Sequence, residues 1–178
     1  MLIGLLGKAE TGKSTIASYL SEVYDFKRFS FATILKDMLF VAGMCSAEEL
    51  WGVKSQLSRW LLQKIGTDII RKQIDPDFFV RRMKKELQHE LKLFNIVIDD
   101  VRLENELKLI KELGGVAVKV IRTGYVTKLG SDHITELTVD KLPYDYIIEA
   151  KSGDIPKLVN SMDKIIKDNK QMMIKKWN

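Results

Sequence analysis

The alternation of apolar runs with amphipathic segments predicts an α/β protein built on a parallel sheet wound with helices on both faces. Three observations carry this expectation. Short, almost continuously apolar runs occur at Leu2–Leu6, Phe94–Ile98, Val116–Ile121 and Tyr144–Ile148, as strands buried on both faces require. Helical spacing of apolar residues fills most of the intervals between them. A glycine-rich loop then joins the first run directly to the first helical segment.

Composition sets the frame. The 178 residues, 46% hydrophobic and 30% charged, match one globular domain, 1–178, with a core that needs no disulfide or metal. Cys45 stands alone and reads as a thiol in a reducing compartment. No secretory pattern opens the chain, and no run reaches the length of a membrane span. The expectation is a soluble protein of the cytoplasm, the host's if the chain is viral, with no membrane partner. The net charge of +5 is spread along the chain and suits a solvated surface as well as an anionic partner, so it gives little support to nucleic-acid binding.

In chain order, Ser14–Val23 carries Ile16, Ala17, Leu20 and Val23 on one helical side, and Lys27–Phe31 reads as a further strand. Ala32–Ala42 is helical, with Ile34, Leu35, Met38, Leu39 and Ala42 at core spacing. Ser46-Ala47-Glu48-Glu49 is a capping pattern that opens a short helix ending near Gly52. Gln56–Ile65 is apolar at helical spacing and continues past Gly66 towards Arg71. Pro76 starts a helix to about Leu91 with Phe79, Met83 and Leu87 inside. Leu103–Leu113 is a helix closed by Gly114-Gly115, and Ile155 to about Lys167 is the last. Thr123–Lys141 is polar and irregular.

The chemistry is concentrated in Gly7-Lys8-Ala9-Glu10-Thr11-Gly12-Lys13-Ser14, followed by Thr15. It satisfies every fixed position of G-x-x-x-x-G-K-[ST], between a buried strand and an amphipathic helix. Glycines let successive backbone N–H groups turn inward as a nest for phosphate oxygens. The helix N-terminus adds positive potential at the same point. Lys13 supplies a cation for the β- and γ-phosphates, and the Ser14 hydroxyl can ligate Mg²⁺. The loop therefore implies a nucleoside triphosphate and is silent on what is done with it.

A second feature is Ile96-Val97-Ile98-Asp99-Asp100-Val101-Arg102. Ligands of open α/β sheets gather at the carboxyl ends of strands. There Asp100 could order Mg²⁺ or its waters, and Arg102 could hold a phosphate; the alternative is that the acids cap the helix that follows. Arg71 and Arg122 lie near element ends, where a cleft would be, whereas Arg28, Arg59, Arg81 and Arg82 read as solvated or paired on the surface. Asp132, His133 and Glu136 form an acid–histidine–acid group on the irregular segment, read as a polar cluster that orders the segment or contacts substrate, with metal binding the weaker alternative. His89 and the three tryptophans, Trp51, Trp60 and Trp177, read as bystanders or packing.

In order and spacing, four blocks resemble the bacteriophage-type deoxynucleoside monophosphate kinases. They are the P-loop; Leu62-Gln63-Lys64-Ile65-Gly66-Thr67-Asp68 with Arg71; Asp100-Val101-Arg102-Leu103-Glu104-Asn105-Glu106 leading to Gly114-Gly115; and Asp132-His133-Ile134-Thr135-Glu136. The closing Tyr144-Asp145-Tyr146-Ile147-Ile148 is similar too. The resemblance implies a P-loop kinase fold: a core parallel sheet flanked by helices, an acceptor-binding helical region at about 31–93 and a lid-like segment at about 122–141. It implies transfer of the ATP γ-phosphate to a deoxynucleoside 5′-monophosphate with Mg²⁺. Gly7 to Thr15 would then hold ATP, with Ser14 and Asp100 towards the metal. Lys13, Asp100, Arg102 and Arg122 would be catalytic. Phe31, Asp68, Arg71, Arg102, Asp132, His133 and Glu136 would serve the acceptor. Homodimers are compatible with the family.

Leu103 and Glu104 stand where the family often has Phe and Pro, Thr135 replaces a frequent Ser, and the loop interior is less glycine-rich than in many members. Base preference is thereby left open. Two further readings share the P-loop: a kinase of another small phosphorylated metabolite, and a nucleotide-dependent DNA-associated binding protein.

Overall fold

The computed structural model describes residues 1–53, 55–124 and 138–177, with side chains to residue 169. Asp132, His133, Glu136 and most of the lid-like segment lie outside the described residues, as does the side chain of Trp177. The chain divides into two compact units, Met1–Arg28 with Leu93–Asn178, and Phe29–Lys92.

The first unit carries a five-stranded sheet. Its strands are β1 (Leu2–Leu6), β2 (Phe26–Phe29), β3 (Asn95–Val101), β4 (Val116–Thr123) and β5 (Tyr146–Lys151), in the order β2-β3-β1-β4-β5. β1 runs parallel to both neighbours, pairing Ile3 with Val97 on one side and with Val116 on the other, and β4 and β5 are also parallel. Period-two alternation splits β1 between two layers. Ile3 and Leu5, with Val97, Val118, Val120 and Ile148, join Ile16, Ala17 and Leu20 of α1 (Lys13–Tyr24) and Leu158, Met162 and Ile166 of the last helix. On the other face lies α6 (Glu104–Glu112), so close that a Cβ on Gly4 would meet Ile110 Cδ1 at 2.3 Å. Helices thus cover both faces, and each fully buried Leu or Ile contributes about 1.5–3 kcal/mol of transfer free energy.

The last helix, α7, spans Ile155–Trp177, beyond the end near Lys167 that the sequence predicts. Tyr19 and Tyr24 of α1 both donate hydroxyl hydrogen bonds to Asp163 of α7, at 2.6 and 2.8 Å. At the start of α6, the buried Glu106 carboxylate accepts the backbone N–H groups of Arg102 and Leu103 at 2.9 and 3.1 Å. It satisfies donors that a helix leaves open at its first turn.

The second unit is helical: α2 (Thr33–Val41), α3 (Ala47–Trp51), α4 (Gln56–Gln63), a π-helical stretch Lys64–Ile74, and α5 (Phe78–Glu90). The capping box ahead of α3 forms as its sequence predicts. Glu49 N donates to Ser46 Oγ at 3.3 Å, and Ser46 N to Glu49 Oε2 at 2.9 Å. Phe79, Met83 and Leu87 are buried, as is Cys45. Some assignments by helical spacing fail. Val23 and Met38 are exposed, and the buried residues of α2 are Leu35 and Leu39 alone. A 100° period fixes which residues share a side but not how wide a stripe the neighbours cover. Among the described residues no helix is long and apolar enough to cross a membrane.

Candidate active site

The end of β1 turns sharply into the loop. Gly7 has φ 143°, and a Cβ there would lie 2.4 Å from the Val120 carbonyl oxygen. Only glycine lets the loop backbone pass so close to β4. Gly12, also left-handed, precedes the first residue of α1. The loop folds around its own lysine: Lys13 Nζ donates to the Gly7 carbonyl at 2.8 Å and to that of Lys8. Thr11 Oγ1 donates to Lys8 O at 3.0 Å and closes the turn.

Lys13 is 7% exposed. Burial, and then the positive charge of Arg102, lower its pKa from 10.5 to about 7, while Asp99 and Asp100 pull in the opposite direction. Arg102 is also lowered by burial, opposed by Asp100, Glu106 and Asp99. Two cations and two carboxylates are thus concentrated at the mouth of the loop, where helix α1 directs its positive end. A triphosphate placed there meets basic groups that burial has already partly stripped of water.

Ser14 and Thr15 are exposed at the start of α1. Ser14 Oγ donates to Asp99 Oδ2 at 3.4 Å. Asp99, rather than the half-buried Asp100, is therefore the carboxylate beside the P-loop hydroxyl. Val97 shares its side of β3 with Asp99 and packs against α1, so the pleat brings Asp99 to that helix. The sequence shows two adjacent acids at a strand end; which one meets α1 depends on which face of β3 the helix covers. Arg28, which the sequence reads as solvated or paired on the surface, is exposed and forms an ion pair with the same Asp99 oxygen.

Arg122, at the end of β4, clasps rather than projects. Its Nη1 donates to the Glu10 carbonyl at 3.1 Å and its Nη2 to Ser152 Oγ. Glu10 is itself left-handed (φ 62°), and this bond ties it to the turn after β5. Between them a cavity of about 370 Å³ opens beside Thr11–Thr15, walled by Arg122, Lys151, Gly153 and Leu158. Sequence patterning gave no signal for the turn at Ser152–Ile155 as a site wall. On the outer side of the loop, Lys8 pairs with Asp140 at 2.8 Å, and the buried Lys119 of β4 donates to the Asp140 carbonyl at 2.8 Å.

The remaining candidates belong to the second unit. Phe31 is a core side chain, 1% exposed. Asp68 and Arg71 both lie on the π-helical stretch. Asp68 pairs with Lys72 and Lys64 at 2.8 and 3.4 Å, and Lys72 is the main cause of its lowered pKa. The Arg71 guanidinium sits 4.4 Å over the Phe79 ring, which aligns it by a cation–π contact.

The donors at the loop also fit a magnesium ion. The Ser14 hydroxyl and the Asp99 carboxylate are hard oxygen ligands set side by side. Among the described residues no group of three or more His, Cys, Asp or Glu could hold a metal unaided.

A parallel five-stranded sheet, a P-loop between its first strand and first helix, and helices on both faces define a P-loop kinase fold. Solved structures agree. Shikimate kinase from Aquifex aeolicus vf5 matches with a TM-score of 0.52 at 14% identity, over 96% of this chain and 99% of that one. TT1252 from Thermus thermophilus matches with a TM-score of 0.51 at 14% identity, over 94% and 97%.

The description "Deoxynucleotide monophosphate kinase" fits residues 42–162. A protein of Acanthamoeba polyphaga mimivirus assigned by name to those kinases is 32% identical over 171 residues, 83% of this chain and 87% of its own length. The chain belongs to the deoxynucleotide monophosphate kinase family. It is a nucleotide kinase, a phosphotransferase.

Proposed function

We propose that the protein transfers the γ-phosphate of ATP to a deoxynucleoside 5′-monophosphate, giving the diphosphate and ADP. The observation that carries the donor half is the buried Lys13 ammonium, held by the carbonyls of Gly7 and Lys8 at the edge of the cavity. Those carbonyls hold the lysine in place until phosphate oxygens offer it stronger, charged partners. Family membership supports the acceptor half.

In this reading the β- and γ-phosphates lie in the loop of Gly7 to Ser14, and the nucleoside extends into the cavity walled by Arg122, Lys151 and Leu158. Arg122 keeps that wall together by joining Glu10 to Ser152. An acceptor phosphate oxygen attacks Pγ in line as the bond from Pγ to the β–γ bridging oxygen breaks. Negative charge then spreads over the transferring group. Lys13 neutralises it from the loop side, and the half-buried Arg102 does so from just beyond the end of β3. Ser14 and Asp99 would hold a magnesium ion, which would supply charge neutralisation at the phosphates. Asp100 opposes the lowering of the Lys13 pKa by burial and Arg102. We assign acceptor recognition to the helical region at about 31–93, through Asp68 and Arg71. Asp132, His133 and Glu136 are assigned to the acceptor side on the family resemblance alone.

A panel of nucleoside monophosphates, shikimate and other small acceptors, incubated with ATP and magnesium, tests the proposal. Diphosphate is expected from at least one deoxynucleoside monophosphate. If none is formed from any of them, the acceptor assignment is wrong.

A further inference from the structure

Arg28 lies on β2, next to β3 in the sheet, and its Nη2 forms an ion pair with Asp99 Oδ2. That oxygen is the one on which Ser14 Oγ hydrogen-bonds at 3.4 Å. The partners are unequally placed: the Asp99 side chain is 8% exposed and that of Arg28 43%. The carboxylate is fixed inside the site, and the guanidinium reaches it from solvent on a flexible stem. A carboxylate so deeply buried is costly without a cation beside it. It also faces the place where a highly charged anion has to sit. Lys13 and Arg102 lie within electrostatic reach, but Lys13 Nζ is committed to the loop carbonyls, and Arg28 makes the direct contact.

We propose that Arg28 is a positioning residue that serves as a resident cation on Asp99, standing in for the metal ion until a metal-bound nucleotide arrives. The inference rests on the reading of Gly7–Ser14 as a triphosphate site. Metal-free ATP then meets a carboxylate that Arg28 has already neutralised. When a divalent cation enters with the phosphates, it takes over the compensation of Asp99, and Arg28 becomes dispensable for binding. The residue therefore sets how strongly nucleotide binding depends on the metal, without touching the nucleotide.

The test is calorimetric binding of ATP to the whole chain in saturating magnesium and in excess EDTA, for the wild type, Arg28→Gln, Arg28→Lys and Asp99→Asn. Arg28→Gln should weaken binding about tenfold in EDTA, the size expected for one charge unmasked several ångströms from the phosphates at intermediate dielectric. In magnesium the change should stay under about threefold by the same reasoning. Arg28→Lys, which keeps the charge, should recover most of the EDTA binding. Adding Arg28→Gln to Asp99→Asn should change nothing further, because the carboxylate it answers is gone. Equal losses in magnesium and EDTA would make Arg28 a direct phosphate contact or a general structural residue and overturn the proposal. No loss in either condition would overturn it as well. If Arg28→Gln does not fold, Arg28→Lys decides: binding in EDTA close to wild type supports the resident cation, and a selective loss there refutes it. A wild-type chain that fails to bind ATP even with magnesium refutes the triphosphate reading, and the inference falls with it.

Discussion

Binding of ATP at pH 8 should draw a proton from solvent onto Lys13. Burial and the nearby Arg102 hold that lysine at about 7 when the loop is empty. At pH 8 about nine in ten molecules then carry it uncharged, and at pH 7 about half do. Phosphate oxygens reverse the balance, because an adjacent anion favours the ammonium. The expected uptake is about 0.9 proton per ATP at pH 8, falling to about 0.1 at pH 6. Over the same range the apparent affinity should fall about tenfold per pH unit above 7, until the raised pKa of the bound state is reached. Isothermal calorimetry at pH 8 in buffers of different ionisation enthalpy gives the proton number as a slope. A flat slope, or an unchanged slope in Lys13→Met, would refute the assignment. The sign also extends to stability. A lysine whose folded pKa is lowered leaves the unfolded chain holding the extra proton between about 7 and 10.5. Lys13 therefore contributes a stability that rises with pH through that window and is smallest below it.

Gly7→Ala places a methyl group 2.4 Å from the Val120 carbonyl oxygen at φ 143°. Since the obstacle is backbone, ATP binding should be lost and stability reduced by about 1–3 kcal/mol; a urea midpoint and ATP affinity equal to wild type would contradict the steric argument. Leu20→Ala empties a fully buried position between α1 and the sheet. It should cost about 2–5 kcal/mol by urea denaturation, with ATP affinity retained in the folded fraction; a cost near zero would mean that α1 collapses onto the gap.

Much of the fold was legible because burial on both faces leaves a strong trace. The existence of β1, β3 and β4 is read directly from runs such as Val116–Ile121, while β3 runs Asn95–Val101 against a reading of Phe94–Ile98 because its end carries Asp99 and Asp100. The capping box at Ser46 and the P-loop are legible because each needs particular residue types at fixed offsets. The boundaries of β5 shifted, Tyr146–Lys151 against a reading of Tyr144–Ile148, since Glu149 and Lys151 sit on an exposed side that gives no apolar signal. The π-helical geometry of Lys64–Ile74 was not legible either. Its apolar spacing is helical in general and does not report which carbonyl each N–H finds. In the site, the partnership of Ser14 with Asp99 rather than Asp100, and the reach of Arg28 across from β2, depend on sheet order and on which face α1 covers. Both are set by pairings between distant parts of the chain, about which local periodicity carries no information.

The strand order has a consequence for how such a chain acquires its loop. β1 precedes both of its partners in the chain: β3, where Leu2 meets Ile96, and β4, where Ile3 meets Val116. Every hydrogen-bonding edge of that strand waits for residues made much later. Parallel pairings across such separations are slow to close, because the chain entropy is lost before the contacts form. The Val120 carbonyl against which Gly7 turns arrives later still. The P-loop therefore precedes in sequence every strand that its own strand pairs with, and its turn at Gly7 depends on backbone supplied by β4. A chain that has not yet paired β1 with β3 and β4 lacks the backbone against which Gly7 turns.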